Sequence, residues 1–209
     1  MLPRMTDRRP GPSDLPSGTV VPDATALKAL AHPVRLRILG LLRLDGPATA
    51  SGLADRLGLN SGATSYHLRQ LERHGFVSEE PALGNARDRW WRAAHGSTRT
   101  ARAELTEEER EATDAFGQAI ALLHTEQLQR AVEERPLLPE EWRVASTLSD
   151  WHLRLTPARA RELTDTLDRL VSTWEEDPEE GAGTQPFTVI VHAFPRPGHV
   201  PPAERGEDG

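Results

Sequence analysis

The chain contains no cysteine, and this absence excludes disulfides, thiolate metal sites and a cysteine nucleophile. Aromatic residues make up only 5% of the 209 residues, with a single tyrosine. No apolar run approaches the roughly 20 residues that a membrane-spanning helix needs. The first residues contain arginines but no apolar segment, which does not fit a secretory signal. We therefore expect a soluble, cytoplasmic protein without a membrane partner.

Motifs for catalysis and for cofactor binding are also missing. The sequence contains no glycine-rich phosphate loop, no nucleophile elbow and no HExxH. His124 and Glu126 occupy a predicted helix but do not share one of its faces. His152 and His192 lie on two predicted strands; they could form a two-histidine site, or they could be solvated histidines on a strand face. We predict no enzymatic activity, no catalytic residue, no metal site and no cofactor.

The net charge of −7 conceals an uneven distribution. Residues 23–95 contain 10 basic and 7 acidic side chains, a net charge of +3. Residues 106–209 contain 10 basic and 22 acidic side chains, a net charge of −12. Because a polyanion attracts the first part and repels the second, this distribution favours DNA binding with residues 23–95 directed inward.

Residues 49–77 have the pattern of two short helices joined by a tight turn. Apolar residues recur at helical spacing on the first helix, at Leu53, Ala54 and Leu57. Gly58 ends this helix, since a reversing chain needs a positive φ that glycine adopts without strain. Asn60 or Ser61 can cap the second helix, which extends to about Arg73. This spacing is typical of a helix-turn-helix, whose second helix enters the DNA major groove.

The second helix has an inward and an outward face. Its inward positions are Thr64, His67, Leu68 and Leu71. We predict that polar residues of this helix contact DNA, together with two arginines of a following β-hairpin, the wing. The predicted DNA-binding residues are Asn60, Ser61, Ser65, Tyr66, Arg69, Gln70, Arg73, Arg87 and Arg89.

The flanking segments complete the predicted DNA-binding domain, residues 23–95. Asp23 caps a first helix, and His32-Pro33 separates it from a central core helix that ends at Leu44. Near the start of the core helix, Arg35 and Arg37 are either phosphate contacts or part of a solvated face. Downstream, FVSEE and RWWRA are predicted to form the two strands of the wing. One of its two adjacent tryptophans should face the core, although both could pack in the hairpin.

Three motifs carry a resemblance to a known family. They are LKALAHPVRLRILGLL, GLADRLGL and SYHLRQLERHGFV, and residues 27–93 around them resemble the ArsR/SmtB-type winged-helix transcriptional regulators. The resemblance implies sequence-specific binding to double-stranded DNA, mostly as a repressor that an effector releases. It also implies a homodimer in which a long helix pairs with its copy across a two-fold axis.

A long amphipathic helix is predicted for residues 105–135, with Thr106 as its cap. A helix of this length needs a neighbour to cover its apolar seam. The resemblance assigns that role to a second copy, and the alternative is packing against the C-terminal part of the same chain. The predicted dimer interface contains Leu27, Ala112, Phe116, Ala119 and Leu123.

The remaining segments are predicted from composition and alternation. Residues 1–22 and 196–209 are rich in proline, glycine and polar residues, so we expect disordered tails. Residues 142–195 are predicted to form a small β-α-β domain, with strands at 150–155 and 187–194 and a helix starting at Thr156-Pro157. The predicted fold class is therefore α+β, mainly helical.

Two functions follow from this organisation. The first is a homodimeric repressor that responds to a non-thiol, small-molecule effector. In the second, the C-terminal domain docks a partner protein, and the winged helix serves to anchor it to DNA.

Overall fold

The computed structural model describes residues 18–83, 89–100, 105–177 and 183–200. It confirms the α+β, mainly helical class. The helices are α1 (Ala24–Leu30), α2 (Pro33–Leu44), α3 (Ala50–Leu57), α4 (Ser61–Arg73), α5 (Glu107–Glu134), α6 (Glu140–Ala145) and α7 (Pro157–Ser172), with a 3-10 turn at Arg135–Leu137. The strands are β1 (Thr19–Val20), β2 (Ala48–Thr49), β3 (Val77–Glu79), β4 (Trp90–Ala93) and β5 (Ser97–Thr98). The chain divides after Arg143 into two units.

The predicted helix caps are present. The Asp23 side chain accepts a hydrogen bond from the Ala26 amide at 2.8 Å, and Thr106 forms a reciprocal capping box with Glu109. Of the two candidate caps for α4, Asn60 has this role, since its Oδ1 accepts from the Ala63 amide at 2.8 Å. Polar side chains therefore satisfy the free amides at these helix starts, as the sequence predicted.

The core of the first unit surrounds α2. Its buried side chains include Leu30, Ile38, Leu39, Leu42, Leu53, Leu68, Leu71 and Phe76. A three-stranded antiparallel sheet with the order β2-β4-β3 closes one side of this core. Trp91 is buried against the core and Trp90 is half-buried, so the two tryptophans point in different directions. The wing strands are thus tied to the same core that supports α4.

Helix α5 packs on α1 and α2, which corrects the predicted dimer interface. Leu27, Ala112 and Phe116 are buried in this intrachain core, and Ala119 and Leu123 pack partly against it. Ion pairs reinforce the packing: Lys28 lies 2.9 Å from Glu111, and Arg37 pairs with Glu126. Because the protomer itself buries Leu27, Ala112 and Phe116, these three side chains do not form an open surface, whereas Ala119 and Leu123 are half-buried and their role in a dimer stays a prediction.

The structure also corrects the predicted length of the N-terminal tail. Thr19–Val20, inside the segment predicted to be disordered, pairs in parallel with Ser97–Thr98. A side-chain hydrogen bond of 2.6 Å joins Thr19 to Ser97. Sequence composition missed this strand because its partner lies 78 residues further along the chain.

The second unit, the C-terminal unit, begins at Val144. Its helix α7 starts as predicted, with Thr156 as the cap and Pro157 in the first turn. The β-α-β prediction is wrong in its strands, since residues 150–155 and 187–194 form none. Their large apolar side chains remain exposed, with 78% exposure at Trp151 and 72% at Phe194. An alternating pattern becomes a stable strand only when a neighbour covers its apolar face, and a single strand pair is marginal in water.

Candidate nucleic-acid interface

The turn between α3 and α4 holds the second helix in a fixed direction. Gly58 has a φ of 65°, the left-handed conformation that the sequence required at this position. Behind the turn, Leu59 donates its amide to the Ala54 carbonyl at 2.9 Å. Thr64 is fully buried, and its hydroxyl donates to the Asn60 carbonyl at 3.1 Å. Together with the buried Leu68, these contacts determine which face of α4 turns outward.

The outward face of α4 carries most of the predicted DNA-binding residues. The helix exposes Ser61, Tyr66, Arg69 and Arg73, and it leaves Ser65 and Gln70 half-buried. Tyr66 has an exposed fraction of 57%, which is high for a large aromatic side chain. Side chains with hydrogen-bonding groups therefore project from one side of a helix whose other side is anchored in the core. Such a face can read base edges and contact phosphates.

Two of the predicted residues already have structural partners. Asn60 uses its side-chain oxygen as the α4 cap. Arg89 pairs with Glu79 at 2.7 Å across the wing, where Arg92 also lies 3.3 Å from Glu80. Arg87 lies outside the described residues. A contact from Arg89 to DNA requires the guanidinium to exchange or share its carboxylate.

Sequence reasoning missed the role of Gly62 in the first turn of α4. A Cβ built at this position would lie 3.3 Å from the capping oxygen of Asn60. Any larger residue must therefore displace the cap slightly. The sequence does contain a sign of this role, because Gly62 lies two positions after the cap residue Asn60 and leaves room for its capping oxygen.

A cluster of ring and guanidinium groups lies where α2 meets α4. The rings of His32 and His67 have centroids 4.7 Å apart, and the Tyr66 ring lies 5.5 Å from that of His67 in an edge-on arrangement. Burial lowers the pKa of His67, and the charges of His32 and Arg35 lower it further. The pKa of His32 is lowered by burial and by Arg35 as well. The helical pattern predicted His67 only as an inward position and did not indicate its pairing with His32.

A family model described as a helix-turn-helix domain matches residues 30–80. The chain is 40% identical over 58 residues to the HTH-type transcriptional regulator YgaV of Escherichia coli (strain K12), covering 27% of this chain and 58% of that protein. It is 44% identical over 54 residues to the HTH-type transcriptional regulator NmtR of Mycobacterium tuberculosis, covering 26% and 44%. Residues 30–80 thus match a helix-turn-helix domain and are similar to those of transcriptional regulators, in agreement with the resemblance to ArsR/SmtB-type winged-helix proteins.

The curated relatives match about a quarter of this chain. The chain spans about half the length of the curated relatives it matches. Among solved structures, reduced HlyU from Vibrio cholerae N16961 is 30% identical and covers 43% of this chain and 81% of its own, with a TM-score of 0.30.

Among the described residues, no group of three or more His, Asp or Glu side chains is placed to hold a metal ion. His152 is strongly exposed, and its Nε2 lies 3.0 Å from a carboxylate oxygen of Asp150. No helix in the described part of the chain is long and apolar enough to cross a membrane.

The two histidines predict that acid destabilises the winged helix-turn-helix. Since the pKa of each is lower in the folded state than the ordinary 6.5, the unfolded chain binds more protons just below pH 6.5. Their contribution to stability is therefore fully present above pH 6.5 and is lost as the pH falls through the folded-state values.

Urea unfolding at pH 7.5 and 5.5 measures this effect. We expect the free energy of unfolding to fall at pH 5.5, and to fall less in a His32→Gln/His67→Gln double variant. His199→Gln is the matched control, because this exposed ring lies in the C-terminal unit. If the free energy of unfolding falls as much in the double variant as in the wild type, groups other than these two histidines cause the acid sensitivity.

Proposed function

We propose that this chain is a sequence-specific, DNA-binding transcriptional regulator. The observation that carries the proposal is the anchored α4 helix, with its inward face buried and its polar, arginine-containing face open to solvent. A helix of this kind fits the width of the major groove of B-DNA. The similarity of residues 30–80 to helix-turn-helix domains supports the same proposal.

The outward residues divide into two kinds of contact. Arg69, Arg73 and the wing arginines Arg87 and Arg89 contact mainly phosphates, a sequence-independent and salt-sensitive contribution. The base-edge readers are Ser61, Ser65, Tyr66 and Gln70, with Arg69 placed to contribute to this set as well. Each good side-chain pairing with a base discriminates by ~1–3 kcal/mol.

We further propose that the active form is a homodimer, with an interface different from the one expected at first. On α5, the face opposite the core carries apolar or small residues at helical spacing, among them Ala121, Leu128 and Val132. Thr125 lies on the same stripe, and its hydroxyl donates to the Ala121 carbonyl at 2.8 Å. That bond satisfies the only polar group of the Thr125 side chain, so the stripe is apolar in character. Pairing two such stripes would display two α4 helices for successive major grooves.

The C-terminal unit supports self-association independently. Among the described residues after Val144, none is buried. A unit with this many exposed apolar side chains lacks a core of its own, and a second copy can supply the missing cover.

Selection from a random duplex library tests the proposed DNA binding. The full chain should enrich a partly palindromic sequence whose half-sites are about one helical turn apart. Its affinity for that duplex should fall steeply as salt rises. Enrichment of no sequence, together with binding no stronger than that of an unrelated acidic protein, would contradict the proposal.

Substituting one residue of the stripe tests the dimer. Leu128→Asp places a charge at a 47% exposed apolar position, and we expect it to shift the chain from dimer to monomer in light scattering after size exclusion. Arg130→Asp is the control, since it changes more charge at an exposed position on another side of α5. A dimer that survives Leu128→Asp but not Arg130→Asp would reject the stripe.

We propose repression as the direction of regulation, released by an effector without thiol chemistry. A dimer that covers an operator occupies DNA that polymerase also needs, and the chain has no cysteine to sense through. A reporter placed behind the selected operator should fall in expression when the protein is present. An increase in expression would reverse this assignment.

A further inference from the structure

The corner between α2 and α4 contains an arginine, Arg35, whose charge has no partner among the described residues. Three buried side-chain nitrogen or oxygen atoms lack a hydrogen-bond partner in the described part of the chain. Two of them, Arg35 Nε and His67 Nδ1, belong to the same cluster beside Tyr66. The third, Arg143 Nε, lies at the end of the first unit. Since buried polar atoms normally have a hydrogen-bond partner, two unpaired atoms in one place indicate a site for an additional hydrogen-bonding group.

The other basic residues of the winged helix-turn-helix show how unusual Arg35 is. Most have a partner: Lys28, Arg37, Arg56, Arg89 and Arg92 form ion pairs, and Arg43 donates to the His95 carbonyl and the Thr98 hydroxyl. Within the described residues, Arg35, Arg69 and Arg73 are the arginines of this domain with neither an ion pair nor a side-chain hydrogen bond. Arg69 and Arg73 are on the outward face of α4, and Arg35 is close enough to Tyr66 to interact with it. The unpaired positive charges thus gather around one helix.

We propose that Arg35, His32 and His67 form a clamp for a DNA phosphate at the edge of α4. The proposal rests on the proposed DNA binding and adds a contact from α2. A phosphate brings the negative charge that Arg35 lacks, and the guanidinium of this half-buried residue can donate to its oxygens. With Tyr66 next to the clamp, this contact fixes the rotation of α4 in the groove.

The clamp couples DNA binding to protonation of the histidines. In the free protein, burial and the neighbouring charge of Arg35 keep both rings neutral to a lower pH than usual. A phosphate offsets that charge and favours the protonated rings, so binding takes up protons. Two neighbouring basic groups are already paired with carboxylates of α5 and do not belong to the clamp. Lys28 of α1 faces Glu108 and Glu111, and Arg37 of α2 faces Glu126. Affinity for duplex should therefore rise as the pH falls from 7.5 towards 6.

Binding of the full chain to its selected duplex, measured by fluorescence anisotropy over a range of salt, tests the clamp. Arg35→Gln should weaken binding roughly tenfold and make the slope of log affinity against log salt less negative by about 0.9, the value for one phosphate. Arg35→Lys should keep most of the slope, because it keeps the charge. Arg37→Gln is the matched control on the same helix, and it should leave the slope unchanged.

The histidines supply a second readout. His67→Gln should remove much of the pH dependence of affinity, whereas His199→Gln, at an exposed ring in the C-terminal unit, should leave it unchanged. An Arg35→Gln variant that folds and keeps both the wild-type affinity and slope would overturn the clamp alone. If the wild-type chain binds no duplex DNA, the proposed function fails and the clamp fails with it.

Discussion

Replacing Arg69 with alanine lowers the affinity of the chain for its operator by roughly tenfold to a hundredfold, the range expected for one lost base or phosphate contact. Arg69 is exposed on the outward face of α4, one turn after Ser65 and one turn before Arg73. In the described residues it has no ion pair that would need to break before it contacts DNA. Arg69 therefore breaks no ion pair when it binds DNA. Most of the energy of its DNA contact is then lost from the affinity in the Arg69→Ala variant.

The measurement is the dissociation constant for the selected duplex at physiological salt, and the salt slope should also become less negative. Arg110→Ala is the control, because this exposed arginine lies on α5 and pairs with Glu107. Circular dichroism should be unchanged in both variants. Equal affinities for wild type and Arg69→Ala would remove α4's outward face from the interface.

Replacing Leu42 with alanine destabilises the first unit by about 2–5 kcal/mol, the usual cost of a large buried aliphatic side chain. Leu42 has no exposed surface and belongs to α2, around which the core is built. Truncation removes apolar contacts and leaves a cavity that the surrounding helices cannot fill without moving. Since the same core holds α4 in place, operator affinity should weaken at temperatures where the variant begins to unfold.

Leu44 offers a matched control two residues further along the same helix. Its side chain is 52% exposed, so Leu44→Ala should change the free energy of unfolding by less than ~1 kcal/mol. Urea denaturation of both variants measures the difference. If the two substitutions cost the same, α2 is not the centre of the core in solution.

Local chemistry made the winged helix-turn-helix predictable. The cap residues Asp23 and Thr106 accept hydrogen bonds from backbone amides only a few residues away. Gly58 adopts a left-handed backbone conformation, which glycine adopts without strain. Apolar residues at helical spacing identified the buried side of α4 and hence its outward side. All these signals act over a few residues of sequence, so no tertiary information was required to interpret them.

Pairing between distant segments was less predictable. The strand β1 depends on a partner 78 residues away, and the alternating pattern at residues 150–155 indicated a strand that does not form. Alternation shows that a segment has an apolar face, but it does not show what covers that face. The same limit explains the α5 seam, where Ala112 and Phe116 were assigned to a second copy although they are buried in the core of the same chain.

The sequence by itself determined the helices, their caps, the turn at Gly58 and the polar face of α4, because these follow from neighbouring residues. Only the tertiary structure decided which charges remain available. Arg35 and Arg37 are two residues apart and were equivalent candidates for phosphate contact. Arg37 pairs with Glu126 of α5, whereas Arg35 lies near His67 and has no carboxylate partner among the described residues. The difference arises from packing between helices that are nearly 90 residues apart in sequence, and side-chain patterns within one helix carry no information about it.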